Sequence, residues 1–226
     1  MLSARSKNPL TAATTSILIP SVKDMGFNRK TGRIIARVSA DILQYIYLQV
    51  SAYGGKDFCV SYASITLFNP RDFLVLSPGS RLRGANRADA WLPALTYDEA
   101  DASMREVLSM FKDQAMPFFR STETLNGMLQ CLKAQKWAAL HHLNFEIACC
   151  LAKMGRFRES KRHVAHAIDL YRKDGRPWAI KNAELAEQLL AALEVRSEME
   201  LLNKWRQHSI DKLKLHQLLN VAGEAA

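Results

Sequence analysis

Apolar positions change their spacing twice along the chain, and each change marks a different kind of element. From about Asn8 to Asp24, Leu10, Ala13, Ile17 and Val22 recur at helical spacing. Pro20 interrupts that pattern and predicts a kink or restart, and Gly26 is placed to end the helix. From Phe27 to Leu67 the period becomes two. Ile34, Ala36 and Val38 alternate with Arg33, Ile35 and Arg37, then Ile46, Leu48 and Val50 with Tyr45, Tyr47 and Gln49. Lys30-Thr31-Gly32 and Ala40-Asp41 read as turns, Tyr53-Gly54-Gly55-Lys56 as a hairpin, and the strand after it runs from Phe58 to about Leu67. The expected result is an antiparallel meander of three or four strands.

Between Asn69 and Leu95 the pattern lapses into a long segment with Pro70, Pro78, Gly79 and Gly84, with a short strand expected around Phe73 to Leu76. From Thr96 onward the spacing is helical. Thr96 and Glu99 have capping-box spacing; the helix they open turns Met104, Val107, Leu108 and Phe111 to one side and is expected to close at Pro117. A second helix opens near Ser121 or Thr122 and carries Leu125, Met128, Leu129 and Leu132. A third covers about Ala138 to Met154, before Gly155, and a fourth runs from Arg158 to Arg172, before Asp174-Gly175. Pro177 opens a single long helical stretch reaching as far as Val221. The fold class is therefore α+β: an N-terminal helix and a meander in an α+β domain over residues 1–120, then a helical region over residues 121–226 ending in a long helix.

Two resemblances attach to these segments. GFNRKTGRIIAR, LQYIYLQVSAYGGKDFCVSYASI and DAWLPA resemble a bacterial domain of unknown function, family 4304, at Gly26, Phe27, Arg29, Gln49, Ser51, Phe58 and Trp91. The likeness covers roughly the first 125 residues; a second aromatic is common after the tryptophan, where this chain has Leu92. The resemblance implies an α+β fold and no established activity. FEIACCLAKMGRFRESKRHVAHAIDLY is similar to one tetratricopeptide hairpin, at about 141–172, with Ile147, Ala148, Leu151, Gly155, Phe157, Val164 and Ala167 near packing positions and Ser160 where a small residue belongs. Stable arrays need about three or more such units, so this reads as one hairpin packed on its neighbours.

Composition narrows the functional classes. At 226 residues and 48% hydrophobic content, the chain is long enough to bury a core without disulfide staples. No run of eighteen apolar residues predicts a membrane span, and the N-terminal sequence lacks the apolar stretch of a signal peptide; a cytoplasmic protein is expected. Cys59, Cys131, Cys149 and Cys150 form no CxxC pair and read as small buried apolar groups. The formal charge of +9 favours acidic partners.

No phosphate-binding loop, nucleophile elbow, HExxH helix or dinucleotide fingerprint occurs. His163 and His166, with His141, His142, Cys149 and Cys150 upstream, would be candidate zinc ligands; their spacing lacks the tight pairs of structural sites, so no metal or other cofactor is expected. Three surfaces remain. Arg71, Arg81, Arg83 and Arg87 share a segment with Trp91, a mixture favoured in binding hot spots. Tyr45 and Tyr47 would form an aromatic platform if their sheet face were open, or stabilise the sheet if it were covered. The C-terminal stripe of Val195, Met199, Leu202, Trp205, Ile210 and Leu213, flanked by Lys204 and Arg206, either packs back on the chain or engages a second copy as a homodimer.

The functional expectation is a non-enzymatic protein-binding module for an acidic surface, its most concrete form an immunity or antitoxin-like protein that neutralises a bacterial toxin. Its candidate partner-binding residues are Arg71, Arg81, Arg83, Arg87, Trp91, Trp205 and Arg206. The alternatives are a basic nucleic-acid-binding protein and an enzyme with an unrecognised site.

Overall fold

A computed structural model of the chain describes residues 8–54, 56–84, 90–136 and 139–223, without the side chains of residues 29 and 220–223. The fold is α+β: N-terminal helical segments, an antiparallel sheet, and a mostly helical C-terminal half. Strands β1 (Asn28–Arg29), β2 (Ile34–Ser39), β3 (Ile42–Val50) and β4 (Asp57–Thr66) form the expected meander, each antiparallel to the one before. The far edge of β4 is covered by two short strands, β5 (Gly79–Arg81) opposite Ser61–Ala63 and β6 (Leu92–Pro93) opposite Asp57–Phe58. No strand forms at Phe73 to Leu76. Gly79 explains why the chain pairs later: a Cβ there would lie 2.2 Å from the Tyr62 carbonyl oxygen, so only glycine permits this approach. Leu74 and Val75 instead pack beneath the sheet.

Both faces of the sheet are covered, which is why β4 is buried almost throughout. On one face Ile35, Ile46, Leu48, Phe58 and Val60 meet apolar residues of α1 (Pro9–Ala13), α3 (Tyr97–Met110) and α4 (Met116–Ser121). On the other, Ala36, Leu43, Tyr45, Ala63 and Ile65 meet Ile210, Leu213, Leu215 and Leu218 from the C-terminal end. Tyr45 is therefore fully buried, its hydroxyl donating to the Val75 carbonyl, and Tyr47 is half-buried. The aromatic pair is a packing feature and no open platform.

Two prolines act differently from a helix stop. A π-helical turn, Thr14–Leu18, joins α1 to α2 (Ile19–Lys23), and a second, Phe111–Ala115, joins α3 to α4. Pro20 and Pro117 each stand second in the helix that follows. A proline ring has no N–H and crowds the carbonyl four residues back; a widened turn relieves that crowding. The helix opened by the Thr96–Glu99 capping box, which forms with both reciprocal hydrogen bonds, thus continues past Pro117 to Ser121. The next helix, α5 (Leu125–Lys133), is capped by Thr124, not by Ser121 or Thr122.

The remaining helices are α6 (Leu140–Lys153), α7 (Phe157–Asp174), α8 (Pro177–Val195), α9 (Glu198–Lys212) and α10 (His216–Gly223); Ala138, the expected start of the third helix, lies outside the described residues. α6 and α7 form the expected hairpin. Ser160 is fully buried and its hydroxyl donates to the Ala148 carbonyl at 2.8 Å, which holds the two helices close. The single long C-terminal helix is not formed. Arg196 (φ 62°) and Lys214 (φ 53°) take left-handed conformations and divide it into α8, α9 and α10. α9 turns back onto α6 and α8, and α10 reaches β2. Ile42 and Phe68 belong to the same core as the helices from α5 to α9, so buried contacts cross residue 120.

Candidate ligand cavity

The turn between β2 and β3 is where sheet and helices are tied. The Asp41 carboxylate accepts from Arg206 of α9 at 2.6 Å and meets Lys153 of α6 at 3.1 Å. Burial alone would raise its pKa, but these two hydrogen bonds outweigh burial and hold it below the usual carboxylate range. With α9 fixed this way, a space of about 900 Å³ remains between α6, α7, α8, α9 and the segment that follows β4.

Its walls are mainly apolar and aromatic. Leu132, Leu143, Phe145, Leu185 and Trp205 line it, with Tyr171, His142 and Trp178 to one side. His142 stacks on Trp178 at 5.3 Å between ring centres, and its Nδ1 shares a 2.8 Å hydrogen bond with the Tyr171 hydroxyl. Burial, then the neighbouring His141, lowers the His142 pKa to about 4, so the ring is neutral at pH 7. Phe73 is 70% exposed and Trp178 37% exposed, so two large rings lining the cavity also face solvent.

One charged pair sits in this apolar lining. Arg71, from the segment after β4, forms an ion pair with Glu146 of α6, and the two side chains are only 15% and 10% exposed. Asn69 adds a 3.5 Å hydrogen bond to the same carboxylate, and Ser209 of α9 accepts from the Arg71 N–H at 3.1 Å. Among the described residues the Nε of Arg71 has no hydrogen-bond acceptor. Beside this pair, Asp72 takes a 2.9 Å contact from His208 and a 3.7 Å contact from Lys181. The segment 69–72 is thereby fastened to α6, α8 and α9.

The expected binding residues fall into three places. Arg71 and Trp205 come together as lining of the cavity. Arg81 and Trp91 meet elsewhere, with the guanidinium 5.8 Å from the indole centre and a 3.3 Å hydrogen bond from Arg81 to Gln49. Arg83 is exposed near them in sequence, its backbone N–H and carbonyl both bonded to Gln114. Arg206 ties α9 to Asp41. Arg87 lies outside the described residues. Of the histidines and cysteines weighed as metal ligands, His163 bonds Asn144 at 2.8 Å, and Cys149 and Cys150 are fully buried, with burial pushing the Cys150 thiol up to about 12. Among the described residues no group of three or more His, Cys, Asp or Glu is arranged to hold a metal ion, and no helix is long and apolar enough to cross a membrane.

Sequence reasoning missed Glu146, Tyr171 and Trp178 as members of one site. Glu146 did carry a signal. It is the lone acid within the apolar run of α6, and an acid on a buried helix face needs a buried base. No family model, curated protein or solved structure matches this chain.

Proposed function

We propose that this chain is a non-enzymatic binding protein whose site is the cavity between the helices and segment 69–77. The observation that carries the reading is an apolar space of about 900 Å³ with aromatic side chains at its solvent side. That volume falls in the range typical of ligand pockets, and a space this apolar is filled more favourably by an apolar group than by water. The reading is tested with the neutral fluorescent probe N-phenyl-1-naphthylamine. One saturable equivalent should bind, and both Asn182→Trp and Ala139→Trp, which place an indole in the cavity lining, should abolish it without lowering the melting temperature. Unsaturable binding, or binding indifferent to both variants, would overturn the reading.

A second reading is favoured by Arg81 stacked near Trp91 beside the exposed Arg83. An acidic macromolecule, such as a toxin to be neutralised, would meet this edge of the sheet, with the +9 charge steering the encounter. Reversing Arg81 and Arg83 together should then weaken a protein complex recovered from native lysate. Loss of the captured material to nuclease would move the assignment to nucleic acid.

A further inference from the structure

The charges of the cavity are unevenly satisfied, and this unevenness selects a ligand. Arg71 is neutralised by Glu146 within the apolar lining. Asp72 is engaged by both His208 and Lys181. Lys204, on α9, also lines the cavity, is exposed, and has no carboxylate within ion-pair distance among the described residues. Lys181 is 72% exposed and holds its shared acid only at 3.7 Å. The fixed charges of the lining are three cations against two acids, and the surplus lies on exposed side chains.

Resting on the cavity as the binding site, we infer that its ligand is an amphipathic anion: an aliphatic or aromatic body inserted among Leu143, Phe145, Trp178 and Trp205, with an acidic head group at Lys204 and Lys181. Orientation follows from solvation. A carboxylate pushed inward would lose its water and meet the Arg71–Glu146 pair, whose charges already offset each other. At the rim it keeps its water beside Lys204, which has no partner acid among the described residues, and Lys181, whose acid Asp72 is shared with His208. An amine-headed amphiphile meets the opposite balance and is disfavoured. A neutral one loses only the rim attraction.

The test uses calorimetric titration of the full chain with monomeric dodecanoate, dodecanol and dodecylamine, below their aggregation thresholds. Dodecanoate should bind most tightly and dodecylamine least. Lys204→Glu should weaken dodecanoate by about fivefold, in line with an exposed ion pair, while leaving dodecanol unchanged. If neither acid nor alcohol binds, the cavity itself is not the site and the proposed function falls with the inference. If both bind equally and Lys204→Glu alters neither, the cavity stands and only the head-group assignment is lost. Binding to phosphatidylglycerol vesicles that depends on Lys204, without binding of monomeric dodecanoate, would also overturn the inference in favour of a lipid surface.

Discussion

Two buried polar clusters in this molecule invite comparison. Under α4, Gln44 is fully buried on β3; its amide N–H donates to the Phe119 carbonyl at 2.6 Å and its oxygen accepts from Arg37 Nε at 2.8 Å. Ser64 and Thr122 share a 2.7 Å hydrogen bond beside it, and Arg37 also reaches the Met25 carbonyl at 3.0 Å. Beside the cavity, Arg71 and Glu146 form a less secluded pair, 15% and 10% exposed, and among the described residues Arg71 Nε is left without an acceptor. A satisfied network fixes one arrangement of its elements. An incompletely satisfied one retains bonding capacity, and here it adjoins the apolar space of about 900 Å³. The difference separates a joint of the fold from a site.

The largest expected effect comes from breaking the second cluster. Glu146→Leu strands the Arg71 charge in an apolar setting and should cost about 3–5 kcal/mol in urea denaturation. Adding Arg71→Met should recover most of that loss, because the buried charge is then gone. A double variant as unstable as the single one would show that the pair contributes packing that charge removal cannot replace. Gln44→Leu comes next. It strands Arg37 Nε, leaves the Phe119 carbonyl with only the 3.4 Å hydrogen bond from Thr122, and should cost about 1–3 kcal/mol by the same measurement, with the cavity probe still bound.

The smallest effect is a pH dependence of the cavity wall. His142 has a folded-state pKa of about 4, against about 6.5 unfolded. The folded chain thus binds this proton less readily than the unfolded one, so the stability is present in full above about pH 6.5 and is lost as the pH falls toward 4. Because His142 is partly exposed to the cavity, the loss should be about 1 kcal/mol. His142→Phe should flatten that part of the stability–pH curve; an unchanged slope would assign it to another group. Asp41, with its lowered pKa, contributes in the same direction at more acidic pH.

The parts of the fold legible in the sequence were those governed by neighbouring residues. The period-two segments became β2, β3 and β4, the Thr96–Glu99 spacing became a capping box, and Gly155 separates the two helices of the hairpin. Hidden were features decided by distant partners or by uncommon backbone conformations. Arginine and lysine do not announce a left-handed turn as glycine does, so the breaks at Arg196 and Lys214 were invisible. The two π-helical turns hid behind prolines that ordinarily end helices. For the site, Arg71 and Trp205 were named from composition, but their meeting with His142, Glu146 and Trp178 depends on α9 folding back. Arg206, read as an outward contact, serves that folding through Asp41.

The covering of Tyr45 and Ile65 by Leu213, Leu215 and Leu218 also bears on how the chain is made. A ribosome delivers β2, β3 and β4 long before it delivers α10. One side of the nascent sheet must therefore wait, bare and apolar, until translation has passed residue 218. Folding of this half is completed only after residue 218 has emerged, and a messenger truncated before that point would release an aggregation-prone polypeptide.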